Sequence, residues 1–113
     1  MSNLAESRQD DIVYGRGVIY DDITQTIGNT PLVKLSRFAK ALSVKANVLA
    51  KVEFFNPAGS IKDRPALAMI EAMIADGRIQ AGTEIIEATS GNNGVACAWI
   101  CALKKIPLTI VIP

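Results

Sequence analysis

The chain has 113 residues, of which 50% are hydrophobic and 20% are charged. These proportions predict one small folded domain and exclude a disordered chain, because enough apolar surface exists to offset the entropy lost on folding. The formal net charge of +1 gives no concentrated basic face, so neither nucleic acid nor a membrane surface is expected as a partner. With no histidine and two cysteines, the chain by itself can build neither a zinc site nor a Ser-His or Cys-His catalytic pair, and we expect no metal.

Residues 1–22 are predicted to form a mobile N-terminal arm. They carry five acidic residues against two arginines and show no sustained hydrophobic period, although residues 18–20 favour a short strand. No positively charged flank precedes an apolar stretch here, so the sequence predicts no secretory signal.

The next segment, residues 23–46, contains the turn sequence Gly-Asn-Thr-Pro at 28–31, followed by the apolar residues Leu32, Val33 and Leu35. Glycine and proline in this arrangement are typical of tight turns. The pattern predicts a turn that leads into a short strand and then a polar connection.

A strand followed by a helix is predicted after residue 47. Apolar residues at 48–52 indicate the strand, and Asn-Pro-Ala-Gly then ends it. Ser60 and Asp63 resemble the two members of a capping box, and apolar residues recur at helical spacing from there to Gly77. Pro65 lies close enough to that cap to disturb the first turn of the helix.

A second strand at 85–86, a polar loop at 90–94, a helix at 95–103 and a third strand at 108–112 complete the order. Residues 47–113 are therefore predicted to form a β-α-β-α-β unit. Short connections in this order are typical of an α/β fold with a parallel sheet and right-handed crossovers.

The two cysteines, Cys97 and Cys101, stand four residues apart inside the second predicted helix. This spacing places both on one helix face and favours packing in a core over a disulfide framework, which indicates a reducing cytoplasm. No apolar run reaches the roughly 18 residues of a membrane-spanning helix, so we expect no membrane insertion.

Both polar loops precede a predicted helix, at the edge of the sheet where α/β folds bind ligands. Lys62 lies at the first helix start and could act as a nucleophile, although a lone lysine near a cap is more often a solvated surface residue. Residues 89–94, Thr-Ser-Gly-Asn-Asn-Gly, bring hydroxyls, amides and free N–H groups to the second helix start. They predict an anion site, with an ordinary capped turn as the alternative. Neither loop matches the dinucleotide or phosphate-loop fingerprint.

Three strings in this order resemble the pyridoxal-phosphate enzymes of the cysteine synthase group, in particular its B-type O-acetylserine sulfhydrylases. They are TIGNTPLVKL at 26–35, NPAGSIKDRPAL at 56–67 and EATSGNNGVACA at 87–98. The resemblance extends over residues 23–113 and implies the fold type II architecture shared with the tryptophan synthase β chain.

Site residues follow from this resemblance by position. It implies that Lys62 holds pyridoxal 5'-phosphate as a Schiff base and that Asn92 hydrogen-bonds the ring hydroxyl oxygen of the cofactor. It also implies that Thr89 and Ser90 bind the α-carboxylate of the substrate. Asn93 stands where the family usually has threonine, and its amide could still donate to a carboxylate.

The implied reaction is β-replacement, in which sulfide or a related thiol displaces acetate from O-acetylserine to give L-cysteine. Cystathionine β-synthase, or another lyase or dehydratase of this fold, is the alternative within the family. A truncated, catalytically silent chain that acts by binding a partner is the alternative outside it.

The resemblance also implies a domain organisation. In relatives, residues equivalent to 23–46 pack on a second domain, the unit at 47–113 carries the cofactor and substrate loops, and the enzyme is a homodimer. The second domain supplies a glycine-rich loop for the cofactor phosphate, and the 113 residues lack that domain. We therefore expect the chain alone to be inactive in cysteine formation.

Overall fold

A computed structural model describes residues 16–113, and residues 1–15 of the predicted arm lie outside this range. It contains four strands and three α-helices in the order β1 (Leu32–Lys34), α1 (Ser36–Ala41), β2 (Leu49–Lys51), α2 (Asp63–Ala75), β3 (Ile85–Ala88), α3 (Asn92–Lys104) and β4 (Leu108–Val111). Two short 3-10 helices span Ile23–Thr26 and Glu53–Phe55. The predicted alternation of strands and helices after residue 47 is confirmed.

The end of the predicted arm is held against the body of the protein. The Arg16 guanidinium donates to the carbonyl oxygens of Thr26 and Gly28, at 2.7 and 2.9 Å. Residues 18–20 form no strand, so that expectation is wrong.

Strand pairing divides the described residues into two small sheets. β3 and β4 are parallel, with Ile85 opposite Leu108, and α3 makes the connection between them. This parallel unit confirms the predicted α/β class. β2 departs from the prediction, because it pairs with β1 in an antiparallel ladder and not with β3 or β4. The expected boundary between residues 46 and 47 thus separates two strands that hydrogen-bond to each other.

The predicted capping box at the start of α2 does not form. The helix begins at Asp63, and the Asp63 carboxylate accepts a hydrogen bond from the Ala58 N–H at 2.7 Å instead of one from Ser60. This later start makes Pro65 the third helical residue, where its missing N–H would have no partner in the helix anyway. At the other end, Gly77 adopts a φ of +81°, a left-handed conformation that glycine accepts without strain, as predicted.

α2 packs against α3, and this contact forms the core. The buried apolar residues of the core are Ala66, Ile70, Ala96, Cys97, Ile100 and Cys101. The prediction that both cysteines pack in the second helix is confirmed. Burial raises the pKa of the Cys97 and Cys101 thiols, and the negative charge of Glu87 adds to the effect at Cys97.

The β3–β4 sheet has two unequal faces. Residues alternate along both strands, so that Ile85, Leu108 and Ile110 are partly buried whereas Ile86 and Val111 are exposed.

No helix in the described part of the chain is long and apolar enough to cross a membrane.

Candidate active site at two helix starts

Lys62 is the residue that immediately precedes α2, at the end of the loop 56–62. Its side chain is exposed and makes no hydrogen bond or ion pair with the residues that the structure describes. Its backbone N–H donates to Ser60 Oγ at 3.1 Å, and its carbonyl oxygen accepts from the Ala66 N–H at 3.1 Å. The Lys62 amine is therefore available to solvent and to a ligand, while its main chain is fixed at the helix start.

The buried side chain of Asp63 fixes this loop by hydrogen bonds. The residue is fully buried, with 0% of its surface exposed. One carboxylate oxygen accepts from the Ala58 N–H at 2.7 Å, and the other accepts from Trp99 Nε1, on α3, at 3.2 Å. A buried carboxylate is tolerated only when it is hydrogen-bonded, and here each oxygen has a partner.

A polar network centred on Glu53 ties the loop to the turn at 28–31. The Arg64 guanidinium donates to both Glu53 carboxylate oxygens, from Nε at 2.8 Å and from Nη2 at 3.0 Å. Thr30 Oγ1 and Asn56 Nδ2 donate to the same carboxylate at 2.6 and 2.8 Å. The hydrogen bonds from Arg64, Thr30 and Asn56 lower the pKa of Glu53 to about 2, and Glu53 in turn raises the pKa of Arg64.

Asn56 extends this network to the turn, because its Oδ1 accepts from the Gly28 N–H at 2.8 Å. Gly28 has a φ of +86°, and a Cβ at this position would lie 2.9 Å from Arg64 Nη1. The sequence pattern did not identify this network, since its members come from three separate segments.

The second loop, residues 89–94, leads from β3 into α3. Ser90 and Asn92 are exposed, and Thr89 Oγ1 accepts from the Gly91 N–H at 3.2 Å. Gly91 precedes the helix and provides no side-chain cap, so within residues 16–113 the first N–H groups of α3 have no side-chain acceptor. Hydroxyls, an amide and open N–H groups suit an anion at this helix start.

Gly94 determines how closely α3 approaches β3. A Cβ at residue 94 would lie 2.7 Å from Thr89 Cγ2 and 3.6 Å from Ile110 Cγ2. Only glycine fits this contact, which holds the Thr89 side chain against the first turn of the helix.

Asn93 is engaged within the protein. Its Nδ2 donates to Glu87 Oε1 at 2.9 Å. Because a carboxylate only accepts hydrogen bonds, the amide nitrogen must face Glu87 and the amide oxygen must face away from it. The sequence pattern did not single out Glu87 as the partner of Asn93.

The two loops lie at the same end of the α2–α3 pair. Asp63 at the start of α2 contacts Trp99, and Glu71 further along α2 pairs with Lys104 further along α3, at 3.2 Å. The second contact lies nearer the C-terminus of both helices than the first, so the two helices run in the same direction. Trp99 lies seven residues beyond Asn92, so the two helix starts are offset along the helix axis.

The residues at this end fit pyridoxal phosphate by their chemistry. Lys62 provides an exposed primary amine, Asn92 an exposed amide, and Ser90 an exposed hydroxyl at a helix start. These groups can attach an aldehyde covalently, hydrogen-bond a polar ring and bind an anionic group. 

Comparison with known proteins places this chain in a family. Residues 23–113 match the family of pyridoxal-phosphate-dependent enzymes. The chain is 48% identical over 95 residues to N-(2-amino-2-carboxyethyl)-L-glutamate synthase from Ralstonia nicotianae, a match that covers 84% of this chain and 28% of that protein. It is 46% identical over 93 residues to a Staphylococcus aureus cysteine synthase, covering 82% of this chain and 29% of that enzyme.

Two further proteins extend the comparison. Rat cystathionine β-synthase is 46% identical over 95 residues, covering 84% of this chain and 17% of that protein. Among solved structures, O-acetylserine sulfhydrylase isoform 3 from Entamoeba histolytica superimposes with a TM-score of 0.85 at 44% identity, covering 90% of this chain and 31% of that chain.

The chain thus spans less than a third of each of these relatives. The family match covers most of the chain. The chain belongs to the family of pyridoxal-phosphate-dependent enzymes and is a homologue of the cysteine synthases within it.

Proposed function

We propose that this chain supplies the cofactor-attachment loop and the substrate-carboxylate loop of a cysteine synthase, which replaces the acetate of O-acetylserine with sulfide to form L-cysteine. The observation that carries the proposal is the placement of the exposed Lys62 amine at the same end of the helix pair as the loop 89–94. A nucleophilic amine beside an anion site is the combination that an amino-acid substrate and an aldehyde cofactor require.

Each residue in the two loops has a distinct proposed part. Lys62 Nζ attaches the cofactor until the amino group of the substrate displaces it, and the freed amine then takes a proton from the α carbon and returns it when the product forms. The Asn92 amide hydrogen-bonds the cofactor ring. Pyridoxal phosphate, when bound, supplies an electron sink that stabilises negative charge at the α carbon. Thr89, Ser90 and the open N–H groups at the start of α3 bind the substrate carboxylate.

Asn93 belongs to this proposed carboxylate site, and its geometry bears on substrate choice. One amide hydrogen is used by Glu87, at 2.9 Å, which leaves the second hydrogen and the amide oxygen for a ligand. A threonine side chain at this position would instead offer one hydroxyl donor and a methyl group. We propose that Asn93 alters the fit of the substrate rather than the reaction class.

The names of the related synthases support a second candidate function. The products in the relatives' names, cysteine, cystathionine and N-(2-amino-2-carboxyethyl)-L-glutamate, share an alanine skeleton whose β carbon carries sulfur or nitrogen. The shared skeleton supports β-replacement as the reaction class, with the nucleophile differing between enzymes. The similar identities to cysteine synthase and cystathionine β-synthase make the latter the second candidate function.

Location and assembly are proposed on separate grounds. Cys97 and Cys101 are buried and unpaired, which supports a reducing compartment, the cytoplasm. The resemblance supports a homodimer, and exposed apolar side chains such as Ile86 and Val111 offer surface for packing.

Reductive trapping tests the attachment of the cofactor. The chain is incubated with pyridoxal phosphate, treated with borohydride and mapped by peptide mass analysis. We expect the reduced cofactor on Lys62 in preference to the other lysines, and Lys62→Ala should abolish that label while leaving the fold intact, because the side chain is exposed and makes no hydrogen bond within residues 16–113.

Lys45→Ala, which removes another exposed lysine, is the matched control and should leave the label on Lys62 unchanged. Equal labelling of all lysines, or preferred labelling of Lys34 or Lys51, would contradict the assignment.

A further inference from the structure

The position of the Lys62 amine depends on its main chain. Within residues 16–113 no hydrogen bond or ion pair holds the side chain itself. Two backbone hydrogen bonds, with Ser60 Oγ and with the Ala66 N–H, fix the peptide locally. Neither of them connects the Lys62 loop to the helix that carries Asn92.

Asp63, the next residue in the chain, makes that connection. One carboxylate oxygen binds the Ala58 N–H within the loop, at 2.7 Å, and the other binds Trp99 Nε1 on α3, at 3.2 Å. The bridge joins residues 36 apart in sequence. Because the carboxylate is buried on all sides, water does not compete for either hydrogen bond.

We propose that Asp63 is a positioning residue for Lys62, and that its bridge between Ala58 and Trp99 fixes the Lys62 loop at a set place along α3. The inference rests on the proposed function, because it assumes that Lys62 attaches the cofactor and that Asn92, at the start of α3, binds it. Without the bridge, the loop loses its hydrogen bond to α3, and the Lys62 amine no longer keeps a fixed distance from Asn92.

Two substitutions break the bridge from opposite sides. Asp63→Asn preserves the shape of the side chain, but an amide has one accepting oxygen, so it can accept from Ala58 or from Trp99 and not from both. Trp99→Phe preserves an aromatic ring and removes the N–H donor. Asp76→Asn is the matched control, because Asp76 ends the same helix and pairs with Arg78 in solvent.

The readout is the share of cofactor trapped on Lys62 relative to the other lysines after borohydride reduction. We expect Asp63→Asn and Trp99→Phe to lower that share by roughly five-fold or more while circular dichroism stays unchanged, and Asp76→Asn to leave it at the wild-type value. The double variant should lower it no further than the stronger single variant, because losing either hydrogen bond already breaks the bridge between Ala58 and Trp99.

Trp99 provides a second readout, since it is the only tryptophan in the sequence. Its emission should change in Asp63→Asn and not in Asp76→Asn, because only Asp63→Asn removes the carboxylate that faces the indole N–H. If Asp63→Asn does not fold, Trp99→Phe decides the question by the share of label on Lys62.

The outcomes separate the two proposals. Wild-type chain that does not prefer Lys62 overturns the proposed function and, with it, this inference. Wild-type chain that prefers Lys62, combined with folded variants that prefer it equally, leaves the proposed function standing and overturns the positioning role. A lower melting temperature with an unchanged share on Lys62 also overturns it, because a merely structural role predicts that result.

Discussion

Glu53 shows how a single side chain joins separate segments of the site. Its carboxylate accepts four side-chain hydrogen bonds, two from Arg64 and one each from Thr30 and Asn56. These partners lie on the turn at 28–31, at the start of the Lys62 loop and in the first turn of α2. Hydrogen bonds to a charged group are stronger than neutral ones, so the ionised form of Glu53 is the one that holds these segments together.

Stability near this network should therefore depend on pH. The pKa of Glu53 is lowered from 4.5 to about 2 in the folded chain, chiefly by Arg64, so the folded state binds this proton less readily than the unfolded state. Its contribution is fully present above pH 4.5 and is lost as the pH falls toward 2. We expect Glu53→Gln to lower the urea midpoint at pH 7, with the difference from wild type shrinking between those values. A constant difference across this range would contradict the assigned cause.

Asn92 and Ser90 are close in sequence, yet their proposed parts differ. Asn92→Ala should alter the absorption of bound pyridoxal phosphate before substrate is added, because in the proposed site the amide contacts the ring. Ser90→Ala should leave that spectrum unchanged and weaken binding of an amino-acid carboxylate by roughly ten-fold or more, the effect of losing one hydrogen bond to a charged group. Titration of the absorbance with O-acetylserine measures both. Identical behaviour of the two variants would refute the division of roles.

At the scale of elements, the contact between β3 and α3 determines the shape of the loop 89–94. Gly94 lets the first turn of α3 lie against Thr89. Further along the helix, Ala96, Cys97 and Ile100 pack in the core against α2. The packing that stabilises the helix pair thereby also places the loop 89–94 at the helix start.

Gly94→Ala tests this contact. The new methyl group would meet Thr89 Cγ2 at 2.7 Å, and we expect a loss of about 1–3 kcal/mol in the free energy of unfolding, as in other overpacked sites. Urea denaturation measures the loss. Adding Thr89→Ser removes the clashing methyl group and should restore most of the stability. If the double variant is no more stable than Gly94→Ala, the clash is not the cause.

For the molecule as a whole, the proposed site is open to solvent. Lys62, Ser90 and Asn92 are all exposed, and the outer face of the β3–β4 sheet carries exposed Ile86 and Val111. Enzymes strengthen the electrostatic interactions of a site and prevent side reactions by excluding water from it. The described residues supply reactive groups without that enclosure.

The 113-residue chain, supplied with pyridoxal phosphate, O-acetylserine and sulfide, should accordingly form cysteine no faster than the cofactor alone. A colorimetric cysteine assay with and without the chain measures this. Lys62→Ala serves as the control for amine-dependent background. Turnover well above the cofactor rate that disappears in Lys62→Ala would show that the open site is sufficient for catalysis.

The sequence by itself determined the local features of this protein. The turn at 28–31, the polar loops before α2 and α3, and the helical spacing that buries Cys97 and Cys101 all depend on residues close together in the chain. Such features can be predicted because turn chemistry, helix ends and hydrophobic periods are set by neighbouring residues. The same local strings carried the family resemblance.

Only the tertiary structure decided which distant segments meet. The pairing of β2 with β1, the hydrogen bonds from Arg64 and Thr30 to Glu53, and the bridge from Asp63 to Trp99 join residues far apart in the chain. The sequence pattern of a strand does not show which other strand it pairs with. A charged residue near a helix start has the sequence pattern of a capping residue, whatever its partner in the folded chain. Asp63 does not form the predicted capping box because the folded chain offers its carboxylate two other donors, the Ala58 N–H and Trp99 Nε1. The carboxylate is buried, so both hydrogen bonds are stronger than those of a solvent-exposed cap.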